Sequence, residues 1–254
     1  MVRRVTTLEG NLGVSKSEFA RCLGEAGYGR ESGRVGVLNL LARAGLPVPE
    51  GVVLIHRAHE EFMETAGILR DIRAAVQRGA CLGAEIRSKH ASCPVEGELN
   101  RVICEALIEL NAKTALVLSE YLEKGGLSSI PEVRDAVRDA WLSPPGLQRQ
   151  IAAIARGEDP PSWPVLVQRE LHPQYTGWST IEGGTILGGQ GAEKSSGDSN
   201  VVLYDVEHVG KRSVEHRGLA SFTLEAESVL GEAVKIRWGL EDGRWYVISA
   251  SPSR

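Results

Sequence analysis

The chain has 254 residues, 42% of them hydrophobic, enough to bury one large core or two smaller ones. A formal net charge of −4 gives no electrostatic reason to expect nucleic acid or an anionic membrane as partner. No apolar run approaches the roughly 20 residues that span a bilayer. Met1-Val2-Arg3-Arg4 is followed by no apolar segment of a secretory signal, so the expected location is the cytoplasm.

Apolar residues recur at helical spacing over 15–25, 35–44, 56–66, 68–78, 95–111 and 131–141. Gly45 is a stop for the second of these, and Ser129-Ile130-Pro131-Glu132 gives the last a capped start with proline in its first turn. Two strands are expected within this half, one over 51–55 after the Pro47-Val48-Pro49 turn and one over 114–119. The polar, proline-rich segment 157–162 marks a boundary. Beyond it the pattern changes to strands over 164–171, 177–181, 185–187, 200–206, 234–239 and 245–250, with one helix over about 223–230. The glycine- and serine-rich tract 188–200 reads as a loop.

The last two strands form a hairpin. Val234, Ile236 and Trp238 are set to face one way, and Gly243 supplies the positive φ of a Glu-Asp-Gly turn. The fold class that follows is α+β and two-lobed. A helical α+β lobe covers 1–157, an antiparallel-sheet lobe covers 163–254, and a ligand cleft lies between them.

Isolated motifs are weak. Cys22, Cys81, Cys93 and Cys104 contain no Cys-x-x-Cys pair and are expected to be small buried hydrophobes. A zinc set from Cys81, His90 and Cys93 matches no common finger spacing. His56-x-x-His59-Glu60 reverses the zinc-protease order and is expected on a partly exposed helix surface. His208 and His216 flank the basic turn Lys211-Arg212. The tract from Gly188 to Ser195 nearly reads as a phosphate-binding loop, but Glu193 stands where glycine precedes the lysine.

Four segments together are more specific. Gly33-Arg34, a helix, Ala44-Gly45-Leu46-Pro47-Val48-Pro49 and Gly51-Val52-Val53-Leu54 make the first. The second is Asp135 to Ser143 around Trp141, and the third is Val165-Leu166-Val167-Gln168-Arg169 followed by Thr176-Gly177-Trp178-Ser179-Thr180. The closing hairpin is the fourth. In this order they resemble the ATP-binding domain of the phosphoenolpyruvate synthase and pyruvate phosphate dikinase family, over nearly the whole chain.

The resemblance implies an ATP-grasp-like fold with ATP as ligand between two lobes. In the family, a phosphoryl group passes from ATP to a histidine on a separate swivelling domain. The resemblance also places a stretch missing from this chain between about 113 and 131, and neither the swivelling domain nor the barrel that follows it matches any segment here.

Five family side chains hold the triphosphate and Mg²⁺, and their positions fall on Arg34, Leu118, Arg237, Ser249 and Ser251. Arg34 keeps a positive charge where the family has lysine. Arg237 replaces a metal-binding carboxylate with a guanidinium that cannot lose its charge. With Ser249 in place of an amide oxygen, the Mg²⁺ site is expected to be dismantled. Gln168, Arg169, Glu170 and Leu171 fall at the adenine hinge of such folds, where backbone groups do the reading. The side chain of Gln168 is equally compatible with an ordinary strand position. Lys194 corresponds to a loop near the triphosphate, or to a plain hairpin connection.

Three functions follow from this pattern. The first is a degenerate domain that binds a nucleotide or another anion through Arg34, Lys194 and Arg237 and acts by association with a partner. The second is an active phosphotransferase subunit of a split enzyme, working on a separate phosphohistidine-domain protein. The third is a purely structural interaction module.

Overall fold

Two five-stranded sheets organise the chain, and every strand pairing in them is antiparallel. The computed structural model describes residues 17–25, 33–79, 83–182, 185–190, 201–205, 214–231 and 234–252. The first sheet is built from β1 (Ala20–Cys22), β2 (Gly51–Leu54), β3 (Ala115–Leu118), β4 (Glu123–Leu127) and β5 (Val165–Arg169), in the order β1-β2-β5-β3-β4. The second holds β6 (Tyr175–Glu182), β7 (Thr185–Gln190), β8 (Val201–Asp205), β9 (Val234–Glu241) and β10 (Arg244–Pro252), in the order β10-β9-β6-β7-β8. The helices are α1 (Arg34–Arg43), α2 (His56–Thr65), α3 (Ile68–Gln77), α4 (Gly83–His90), α5 (Gly97–Leu110), α6 (Ile130–Trp141), α7 (Pro144–Ala155) and α8 (Val214–Leu230).

The α+β class and the two-lobed plan expected from the sequence are therefore present. Among the described residues no helix is long and apolar enough to cross a membrane.

Strands β2 and β5 carry the continuous apolar runs Val52-Val53-Leu54 and Val165-Leu166-Val167 because both of their faces are buried. Val52, Leu54, Val165 and Val167 point into a core made with α2, α3, α5, α6 and α7, centred on Phe62, Ile103 and Trp141. Val53 and Leu166 point the other way, into a second core with Leu38 and Leu41 of α1, Phe222 and Ala226 of α8, and Val234, Ile236 and Val247 of the hairpin. Helix α1 is thus the layer through which the two sheets share apolar contact. Burial of its Val35, Leu38 and Leu41 contributes on the order of 1.5–3 kcal/mol each.

Local signals account for several boundaries. The Ser129 hydroxyl accepts from the Glu132 amide at 3.4 Å while the Glu132 carboxylate accepts from the Ser129 amide at 3.0 Å, a reciprocal cap at the start of α6. Asp242 (φ 50°) and Gly243 (φ 73°) form the two-residue turn between paired Glu241 and Arg244, as a type I′ hairpin requires. Val234, Ile236 and Trp238 do share a buried face.

Other expectations need correction. A helix over 15–25 is replaced, within its described part, by the edge strand β1, which pairs Ala20 with Leu54 and Cys22 with Val52. A short apolar run is ambiguous in period, and pairing to the edge of an existing sheet decided it. Helix α8 begins at Val214, well before 223. Gly188, Gly189 and Gln190 belong to β7, where they pair with Val202, Val201 and Gly177. The boundary drawn on composition between 157 and 163 does not coincide with the change of sheet. Strand β5 lies beyond that boundary yet sits in the first sheet, so the chain crosses between Arg169 and Tyr175.

Candidate functional site

Arg34 opens α1, and its position follows from Gly33. That residue has φ 109° and ψ 176°, a conformation in which a Cβ is strained, and a side chain there would also run into the Glu120 carboxylate. The turn leaves the backbone N–H of Arg34 donating to Glu120 Oε2 at 3.3 Å. The Arg34 guanidinium reaches across to Glu123 on β4 and pairs with its Oε2.

Arg237 arrives at the same carboxylate from the second sheet. Its Nη1 lies 3.4 Å from Glu123 Oε1. The β-ladder explains the approach: Arg237 is flanked by Trp178 on β6 and Ser249 on β10, and directly opposed residues share one face of an antiparallel sheet. On the reverse face, Ser179, Ile236 and Ala250 are buried against α8 and its neighbours. A register shift between Val247 and Ser249 keeps Ser249 and Ser251 on the side of Arg237 and Lys235. Lys235 lies over the Trp178 ring at 5.2 Å.

Glu123 is thus shared by two guanidiniums, one from the start of α1 and one from the second sheet. Burial works to raise its pKa, but the Arg34 hydrogen bond and the charges of Arg34 and Arg237 hold it below the ordinary glutamate value. Solvent still reaches about a third of both partners, 31% for the Arg34 side chain and 32% for Glu123, so a ligand can compete for either guanidinium.

Arg34 and Arg237 meet at Glu123, Ser249 lies beside Arg237 on the ladder, and residues 168–171 make other contacts. Gln168 is buried, 1% exposed, and its Nε2 donates to the Pro49 carbonyl at 2.9 Å. Arg169 pairs with Glu241 at 2.7 Å and lies over the Tyr246 ring, a second ionic link between the sheets. The backbone N–H groups of Arg169 and Glu170 are committed to the carbonyls of Glu50 and Thr114. The Glu170 carboxylate accepts from the Gly126 amide at 2.7 Å, and Leu171 is half-buried. Ser251 is exposed opposite Lys235. Leu118, the position aligned with a family arginine, is a core residue at 1% exposure. Lys194, Cys81 and His208 lie outside the described residues.

Glu123 itself is the residue of this cluster that sequence reasoning missed. It sits on β4, whose Glu-Lys-Gly-Gly run has little strand propensity. The available signal was Ser119, whose hydroxyl accepts from the amides of Tyr121 and Leu122 and turns β3 back into β4.

Mg²⁺ needs hard oxygen ligands, and the carboxylate nearest Arg237 already faces two cations that would repel the metal. Among the described residues no group of three or more His, Cys, Asp or Glu side chains is placed to hold a metal ion. Of the zinc candidates, His90 Nε2 is bonded to Asp71 Oδ2 at 2.8 Å, and the half-buried Cys93 thiol is pushed up in pKa by burial. Cys22, Cys93 and Cys104 are free thiols of intermediate exposure. His59, expected near the surface, is instead 1% exposed. It belongs to the inner face of α2 with Ala58, Phe62 and Met63, and stacks on Trp163 at 4.2 Å between centroids.

No protein-family model matches the sequence, and no curated protein matches it. Solved structures do match. The D-alanine–D-alanine ligase of Bacillus anthracis, complexed with ATP, is 8% identical with a TM-score of 0.39, covering 85% of this chain and 53% of its own. The D-alanine–D-alanine ligase of Coxiella burnetii is 9% identical with a TM-score of 0.44, covering 84% and 45%. The ATP-grasp ligase PsnB, complexed with a minimal precursor, is 12% identical with a TM-score of 0.35, covering 85% and 50%. This chain spans about half the length of each of these proteins. At such identities and scores nothing about activity, ligand or partner passes from them to this chain.

Proposed function

We propose that this chain is a degenerate ATP-grasp-like domain of the phosphoenolpyruvate synthase type. It binds a nucleotide or another polyanion without Mg²⁺ and acts in the cytoplasm through a partner, such as a separate phosphohistidine-domain protein, rather than by phosphoryl transfer. The observation that supports this reading is Arg34 and Arg237 converging on Glu123. Two fixed guanidiniums supply the positive field that phosphates need. Lys194 is assigned as a third cation on the sequence resemblance alone. Glu123 serves as internal counter-ion to the two guanidiniums, and an incoming phosphate displaces it.

Calorimetric titration with ATP, with and without Mg²⁺, tests the reading. Expected is ATP affinity that is the same in EDTA and in excess Mg²⁺ and that weakens as salt is raised. A large stabilisation seen only with Mg²⁺, or ATP cleavage on adding a histidine-domain partner, would overturn it in favour of an active phosphotransferase subunit.

A further inference from the structure

A cavity of about 610 Å³ opens beside the N-terminus of α1. Its walls include Arg34, Glu120, Tyr121, Arg149 and Trp163, with His56 and Ser162 at the edge. That volume falls in the range of small-molecule sites. Two aromatic rings form a corner, Tyr121 meeting Trp163 edge-on at 5.5 Å and 85°. Trp163 is a rigid wall: its indole N–H donates to the Ala140 carbonyl at 3.3 Å, and its ring is backed by His59. His56 and Ser162 are bonded to each other at 2.9 Å and add a polar rim.

Arg149 sets the charge preference. Its guanidinium lies over the Tyr121 ring at 5.5 Å and has no carboxylate partner among the described residues. A cationic ligand entering the aromatic corner would meet a guanidinium already on the tyrosine face, whereas an anion gains a charge-assisted bond to it. Glu120, the opposing carboxylate, is turned to the first backbone N–H of α1 at 3.3 Å, where the helix terminus offsets part of its charge.

We propose that this cavity is a binding site for a small monocarboxylate with a flat apolar body. The carboxylate pairs with the planar fork of Arg149 and the body lies in the Tyr121–Trp163 corner. It shares Arg34 with the anion site proposed above but uses neither Arg237 nor Glu123, and it is read with an aromatic carboxylate rather than a phosphate.

The test is calorimetric titration of the intact chain with 2-naphthoate and with 2-naphthylmethylamine, its cationic counterpart. Expected is saturable binding of the carboxylate, none of the amine, and affinity reduced at least about tenfold in Arg149→Gln. Arg149 is exposed, so that variant removes charge without touching the core. Tyr121→Leu is the second variant and lowers affinity through the lost ring. Absence of saturable 2-naphthoate binding, equal binding of the amine, or unchanged affinity in both variants would overturn the proposal.

Discussion

Arg34 at the start of α1 and Arg237 in the middle of β9 hold opposite oxygens of one carboxylate, that of Glu123. In the free protein this arrangement satisfies both guanidiniums and links the lobes, yet it occupies the positive field a phosphate would use. Replacing Glu123 by Gln keeps the side chain's size and removes its charge. The expected outcome is affinity for ATP or inorganic triphosphate raised about tenfold, since one competing charge is gone. Folding stability should fall by no more than about 1 kcal/mol, because the pairs are partly solvated. Calorimetry with triphosphate decides: equal or weaker binding to Glu123→Gln means that the two arginines do not form the anion site.

The same carboxylate gives the cleft a pH dependence. Its pKa is depressed in the folded chain, so its contribution is fully present above the unfolded glutamate value, about 4.3. It is lost as pH falls through the lower folded value. The link between the lobes therefore weakens only in strong acid and is intact near neutrality.

Gly33 fixes the approach of Arg34. At φ 109° and ψ 176° the residue occupies a region essentially reserved for glycine, and an added Cβ would press on the Glu120 carboxylate. Gly33→Ala should cost about 1–3 kcal/mol in strain and move the α1 terminus. Urea unfolding measures the loss, and triphosphate affinity should fall with it as Arg34 leaves its position. A variant as stable as the parent would show that the α1 terminus tolerates another backbone conformation.

How far the sequence discloses this arrangement depends on where the information is local. The closing hairpin is legible because Asp242-Gly243 dictates the turn and alternation dictates the face, so Arg237 and Ser249 could be placed on one surface. The segment 33–54 is legible for the same reason, its Gly-Leu-Pro-Val-Pro turn lying between α1 and β2. Strands β1 and β4 are not, because their residues lack strand propensity: β1 becomes a strand by pairing with β2, about thirty residues on, and β4 by pairing with β3 across the Ser119 turn. Glu123 was lost with β4, and the charge balance of the cleft with it. The interior position of His59 was hidden too, since an imidazole at that spacing gives no sign of which helix face meets Trp163 and Trp141.

His59 makes the protein acid-sensitive well above the carboxylate range. Burial, aided by the nearby charge of His56, lowers its pKa from 6.5 to about 3, and neither ring nitrogen has a hydrogen-bond partner among the described residues. The unfolded chain binds a proton below pH 6.5 that the folded chain refuses, so stability is full above that value and declines as pH falls toward about 3. At pH 5 the loss is on the order of 2 kcal/mol. His59→Phe should pack among Trp163, Trp141 and Phe62 and leave stability at pH 7.5 within about 1 kcal/mol of the parent. Urea unfolding at pH 7.5 and pH 5 should then show a smaller drop in the variant, and an unchanged drop would rule out His59 as its source.

Gln168 separates a structural strand residue from an adenine contact. Its amide nitrogen donates to the Pro49 carbonyl at 2.9 Å in a position with 1% exposure, pinning the turn before β2 to β5. Gln168→Leu would leave that carbonyl unpaired in an apolar surrounding, at a cost of about 1–3 kcal/mol. Nucleotide affinity should not change, because the side chain is held inside the first sheet by its neighbours Gly51 and Leu116. Measuring stability and ATP binding on the same variant distinguishes the two roles. A selective loss of ATP affinity without a loss of stability would assign Gln168 to the ligand after all, and would require the Pro49 bond to open when nucleotide enters.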